Sequence, residues 1–296
     1  MMQGGETKWR RAPGALSRRA PARRFSAGGW IPALGLVAGL TAGLANGWAA
    51  GSAEAAVQTE TVVYRHGDVV LEGYLARLAG QSATPRPGVI VVHDWRGISA
   101  DTRHRAEMLA EAGYVALAID MYGQGVRPTS TEECAKQAGL YRADRVLMRA
   151  RARAGLDFLL AQPGVDPARI AAIGYCFGGG TALELARSGA PLAGTVSFHG
   201  NLDTPDPSVA KAIRAKILVC HGADDPYVPP DQVAAFQKEM RDAGVDYQII
   251  QYGGAVHSFT VRDAGSDPSK GAAYHAAADQ RSWEAMSQFF GEVFKK

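Results

Sequence analysis

"GYCFGGG", residues 174–180, stands between the apolar run "RIAAI" (169–173) and "TALELA" (181–186), which has the composition of a helix start. A strand therefore meets a helix at a corner whose central residue is Cys176, with Gly174 and Gly178 two positions away on each side. Such a corner forces its central residue into a strained conformation, and the flanking glycines relieve the crowding of strand against helix. The thiol would then stand at the helix N-terminus, where the first-turn N–H groups and the helix dipole favour a thiolate and the N–H of Phe177 can face an oxyanion. A glycine-rich helix start around an inert buried thiol would read the same, so the neighbouring sequence has to decide.

Outward from this corner the pattern is regular. "TETVVYR" and "VVLEGYLA" are β-like runs separated by "HGD", a hairpin signal, and "PGVIVVHDW" is a continuous apolar run of the kind found in buried parallel strands. Helical and strand-like segments then alternate: "RHRAEMLAEAGY", "YVALAID", "RADRVLMRARARAGLDFLLAQ" as one long helix, "RIAAIGY", "FGGGTALELARSG", "LAGTVSFHG", "AKILVCHG", "PDQVAAFQKEMRDAG", "VDYQIIQYGG" and a closing helix in "AAYHAAADQRSWEAMSQFFGEVF". This order predicts an α/β fold: a mostly parallel sheet with an antiparallel N-terminal edge and helices on both faces. Ligands of such sheets lie beyond the carboxyl ends of the strands, and Cys176, Asp225 and His257 each follow an apolar run.

"LVCHGADDPYVP" places Asp224 and Asp225 after a strand, and "YGGAVHSF" does the same for His257. The chain order is nucleophile, acid, histidine, as in α/β-hydrolases, where the histidine takes the nucleophile's proton and the carboxylate fixes the imidazole's tautomer. An aspartate capping the turn before Pro229, or one loop histidine among seven, is unremarkable alone; the three in this order point to catalysis.

"HDWRG", "DMYG", "GYCFGG", "GADDPYVP" and "GAVHSF" resemble, in order and context, the motifs of the dienelactone hydrolase family, a cysteine-dependent branch of the α/β-hydrolases, over the whole chain after residue 55. The resemblance implies Cys176 as nucleophile, His257 as base and Asp225, rather than Asp224, as acid. It also implies an oxyanion hole from the N–H groups of Phe177 and Trp95, and a carboxylate at Asp94 that contacts the cysteine or lines the pocket. Asp94 is one methylene shorter than the family's glutamate. Two arginines that clamp the carboxylate of dienelactone in the family are replaced here by Gln124 and Val261, with Arg262 and Arg127 as the nearest cations. Gln124, Tyr122, His199 and Arg262 are the further candidates for pocket residues.

The implied activity is hydrolysis of a carboxylic ester or lactone through an acyl-cysteine, on a substrate more neutral than dienelactone, with no cofactor and no metal. His257 must be neutral to accept a proton, so activity is expected to rise with pH through an ordinary histidine ionisation. Two other classes remain open on the sequence: a pocket of the same fold that binds a small ligand without catalysis, and a redox role for the thiol, although no C-x-x-C pair is present. Cys220 reads as a core thiol and Cys134 as a loop or helix-start thiol, while Arg142, Arg145, Arg149 and Arg153 read as a solvated helix face.

The formal charge is only +3, much of the excess lies in "KWRRAPGALSRRAPARR", and no Cys/His cluster has zinc spacing, so neither nucleic acid nor a metal is expected as a partner. Residues 1–55 read as an export segment: Arg18, Arg19, Arg23 and Arg24 precede a stretch uncharged up to Glu54, and Ala53–Ala55 offers small residues for a signal peptidase. The paired arginines suggest a twin-arginine route. Cleavage would leave a periplasmic or secreted domain, residues 56–296; retention would make residues 25–50 a membrane anchor. A monomer is the simpler expectation.

Overall fold

A computed structural model describes residues 56–80 and 82–295; residues 1–55, expected to be an export segment, lie outside the described residues. Strands β1 (Val57–His66) and β2 (Val69–Leu78) form the expected hairpin, closed by a two-residue turn with Gly67 at φ 57°. Positive φ is nearly free of strain for glycine alone, and such turns match the right-handed twist of the strands they join. The remaining strands are β3 (Arg86–Val92), β4 (Val115–Ile119), β5 (Val165–Tyr175), β6 (Gly194–Phe198), β7 (Lys216–Gly222) and β8 (Tyr247–Tyr252). The eight strands pair in the order β1-β2-β4-β3-β5-β6-β7-β8, antiparallel at β1, β2 and β4, parallel elsewhere.

Alternation along the buried strands divides two apolar layers. Val89 and Val91 of β3 pack on one face with residues of α1 (Ala100–Glu111) and α6 (Ala276–Val293), among them Leu109, Met286 and Phe290. Ile90 and Val92 face the other way, onto α3 (Arg145–Leu160), α4 (Phe177–Arg187) and α5 (Pro230–Ala243) through Leu156, Leu183 and Phe236. After β3 the chain crosses to β4 on one side and later returns to β5 on the other. The sheet therefore has its switch point between β3 and β5, the place where ligands of such sheets lie beyond the carboxyl ends.

Two boundaries differ from the sequence expectation. The long helix expected over 142–162 is two, α2 (Thr131–Ala143) and α3, because Asp144 leaves helical geometry (φ −122°, ψ 88°) and accepts the Leu147 N–H as N-cap of α3. The closing helix begins at Ala276 rather than Ala272, because the backbone before it is engaged with His257: the His257 N–H donates to Gly271 and the Ala273 N–H donates to His257. Among the described residues no helix is long and apolar enough to cross a membrane.

Candidate active site

Cys176 caps α4 at φ 54°, ψ −117°, a conformation in which few residues other than glycine are found. The corner tolerates it because its neighbours have no side chains: a methyl group on Gly174 would strike the Gly178 carbonyl, and one on Gly178 would strike the carbonyls of Val92 and His93. The helix start is thereby pressed against the end of β3. Phe177 is the first residue of α4, so its N–H has no partner one turn earlier in the helix and is free to meet an anion.

His257 Nε2 lies 3.0 Å from Cys176 Sγ, and His257 Nδ1 lies 2.8 Å from Asp225 Oδ2. A carboxylate only accepts, so Nδ1 carries the proton and Nε2 faces the sulfur. The other Asp225 oxygen accepts the Tyr227 N–H at 2.8 Å. All three side chains are buried, Cys176 at 7% and His257 at 8% exposure. Asp224 is exposed and instead accepts the Gly254 N–H, so the line of three runs through Asp225.

Burial opposes a charge on His257, but the Cys176 sulfur beside it, the hydrogen bonds to Asp225 and Cys176, and the Asp225 charge outweigh that penalty and raise its pKa to about 10. This corrects the expected ordinary histidine ionisation. At neutral pH the ring is therefore protonated and can act as a proton donor.

The loop after β3 is held from beneath by His93, which the sequence did not single out, and by Tyr122, expected as a pocket residue. His93, fully buried, accepts the Met121 N–H on Nε2 at 3.2 Å and so donates from Nδ1 to the Asp94 carbonyl. Burial keeps its pKa low and its ring neutral. C=O and N–H point in opposite directions across a trans peptide, so anchoring the Asp94 carbonyl on His93 turns the Trp95 N–H away from that ring. The Trp95 carbonyl in turn accepts the Tyr122 hydroxyl at 2.8 Å, and the Trp95 N–H has no acceptor among the described residues. Tyr122 is buried against His93 and Phe177; its place is under this loop.

Asp94 does not touch the thiol. Its carboxylate accepts the Arg96 N–H at 2.8 Å and a two-pronged grip from the Arg96 guanidinium, at 3.0 and 2.7 Å, and lines a small cavity with Tyr175, Thr260 and Val261. The physical reason is its short side chain, which closes a turn onto the residue two further on. Gln124 is exposed and donates to Glu72, and Arg127 also pairs with Glu72. Arg262 is exposed with its guanidinium 5.5 Å from the Tyr274 ring centre. None of these three borders the thiol as a pocket residue, because each has a partner on the outer surface. Val261 is buried.

His199 (φ 39°) is fully buried, its ring 5.5 Å from that of His257 and its Nε2 2.8 Å from Thr260 Oγ1. Burial foremost, then the charge of His257, keeps its pKa far below the usual value, so it supports the His257 ring as a neutral neighbour. His221 stands behind Asp225 in a cleft of about 200 Å³, its pKa lowered by burial against the pull of Asp225. Its position in "VCHG", directly before the turn that carries the acid, was the available signal.

Of the four arginines read as a solvated face, Arg142 and Arg153 are exposed and Arg145 and Arg149 are half-buried, and all four have partners. Arg142 reaches Asn201, Arg145 pairs with Asp203 and Arg153 with Asp157. Arg149 pairs with the wholly buried Glu184 of α4, which also binds Arg187, itself paired with Glu239 of α5. This buried network grips the helix that presents Cys176. Cys134 and Cys220 are buried free thiols, and burial pushes Cys220 up to about 12. No group of three or more candidate metal ligands occurs among the described residues.

The family model of the dienelactone hydrolase family matches residues 71–294. A Bradyrhizobium protein named "Probable 2-oxo-3-(5-oxofuran-2-ylidene)propanoate lactonase" is 31% identical over 76% of this chain and 92% of its own. Two solved structures, one named m3DLH and one a dienelactone hydrolase-like promiscuous phosphotriesterase from metagenomic libraries, are each 43% identical with a TM-score of 0.77, covering 81% of this chain and 99% and 100% of theirs. With the strand order, the strained cysteine corner and matches of this extent in agreement, the chain belongs to the dienelactone hydrolase family.

Proposed function

We propose that the protein hydrolyses neutral carboxylic esters or lactones through an acyl-cysteine intermediate. The observation that carries this reading is the line Cys176–His257–Asp225, with separations of 3.0 and 2.8 Å, at a helix N-terminus. The sulfur attacks the acyl carbon, and the oxyanion forms between the N–H groups of Phe177 and Trp95. As the carbon–oxygen bond breaks, His257 gives its proton to the leaving oxygen; the neutral ring then takes a proton from water, which cleaves the thioester and restores the thiol–imidazole pair.

The preference for neutral substrates is supported by Val261 and Gln124 standing where the family's carboxylate clamp would be, and by Arg262 and Arg127 having their own partners. A phosphotriester, the substrate class for which one of the two similar structures is named, is likewise an uncharged ester. The test is a panel of aryl, alkyl and lactone esters with Cys176→Ala and His257→Ala beside the parent. Activity lost in both variants supports the reading, and activity retained in Cys176→Ala overturns it. The same reading includes export through residues 1–55, with the mature chain beginning near Ala56. Intact mass of the periplasmic protein tests this, and a mass that retains Trp30 to Trp48 favours the anchor instead.

A further inference from the structure

Proton transfer fixes where the leaving group lies. His257 Nε2 protonates the departing oxygen, so whatever that oxygen carries must pass along the open side of the His257 ring. Two other rings flank His257. One is His199, fully buried; the other is Tyr227, edge-on at 78° with ring centres 5.2 Å apart. Tyr227 is 55% exposed, whereas His257 is 8% exposed. A large aromatic side chain is thus left bare beside the proton donor.

The ring is firmly supported. The Tyr227 N–H is bonded to Asp225 Oδ1, and the ring lies over Gly271, where a β-carbon would sit 3.4 to 3.5 Å from its outer atoms and 2.9 Å from Pro226. Gly271 has φ 78° and its carbonyl accepts the His257 N–H, so the tyrosine and the histidine share one support. A bare residue here suits glycine twice over, by conformation and by the approach of Pro226 and Tyr227.

We infer that Tyr227 walls a leaving-group subsite and that the alcohol half of the preferred substrates is aromatic. The inference rests on the acyl-cysteine reading above. In the step concerned, the sulfur–acyl bond forms, the acyl–oxygen bond breaks, and a phenol departs with the proton from His257. Aromatic rings attract one another in offset and edge-on arrangements, and a tyrosine has few rotatable bonds to immobilise.

Phenyl acetate and 2,2,2-trifluoroethyl acetate test this, because both deliver the same acetyl group. Hydrolysis of the common acetyl-enzyme cancels, and the leaving group is reported by kcat/KM. Tyr227→Ala should lower the phenyl-to-trifluoroethyl ratio of kcat/KM about tenfold, and Tyr227→Phe should hold it within about twofold, since the ring rather than the hydroxyl makes the wall. The ratio does not depend on the fraction of active protein. A ratio unmoved in Tyr227→Ala, or lowered equally in Tyr227→Phe, overturns the inference. Failure of the underlying reading is distinct: neither ester would leave an acetyl group on Cys176 of the parent.

Discussion

His257 Nε2 and Cys176 Sγ are 3.0 Å apart although the two residues stand 81 positions apart in the chain, and the ring's other nitrogen is already committed to Asp225. The imidazole, placed between the sulfur and the carboxylate, therefore holds its proton more tightly than an ordinary histidine, with consequences for the pH profile.

Because the His257 pKa is raised to about 10, the protonated ring persists below that pH and is lost above it. The leaving group needs that proton, so kcat/KM should fall as pH rises through about 10 and should show no limb at the ordinary histidine pKa. A pH series on an uncharged ester checks this. A single rising limb in the ordinary histidine range would contradict the thiol–imidazole pair described above.

Tyr122→Phe removes the hydroxyl that holds the Trp95 carbonyl at 2.8 Å while keeping the ring against His93 and Phe177. Loosening one oxyanion donor acts on the transition state, so kcat and kcat/KM should fall together by about tenfold, the worth of roughly one hydrogen bond. Steady-state kinetics on an aryl ester decide it; unchanged kcat would show that the loop does not depend on this bond.

The gathering of Cys176, Asp225 and His257 was legible because the fold rule is simple: residues that follow buried parallel strands collect on one edge of the sheet. The β5–β6, β6–β7 and β7–β8 registers, Tyr175 with Phe198, Phe198 with Cys220 and Gly222 with Tyr252, bring those strand ends level. What was not legible depends on side-chain direction. Whether Asp94 turns toward the thiol or back to Arg96 is a choice of rotamer within a folded loop. The partner of Arg149, Glu184, and one partner of Arg187, Glu239, lie on other helices, out of reach of any helical spacing. The helix break at Asp144 was hidden because capping competed with an otherwise continuous helical pattern.

Glu239→Gln should destabilise the domain by roughly 3–5 kcal/mol, because Arg187 would remain buried with one charged partner fewer. The urea midpoint should drop with little change in slope. A loss below about 1 kcal/mol would mean that the network is no more than a surface-type ion pair.

Dienelactone should be turned over less efficiently than neutral aryl esters, by about tenfold or more in kcat/KM, because Gln124 and Val261 stand where the family's clamp would receive its carboxylate. Arg262→Ala should change neither rate by more than about twofold, since its charge lies out on Tyr274. A dienelactone preference that vanished in Arg262→Ala would show that this arginine swings into the site.

The most direct test of the central claim is intact mass of the enzyme quenched during turnover of phenyl acetate, followed by peptide mapping. One acetyl group should be found, on Cys176, and it should be absent from Cys176→Ala together with activity. An active enzyme that never carries the acetyl group, or a Cys176→Ala variant with parental kcat/KM, would contradict the thiol as nucleophile.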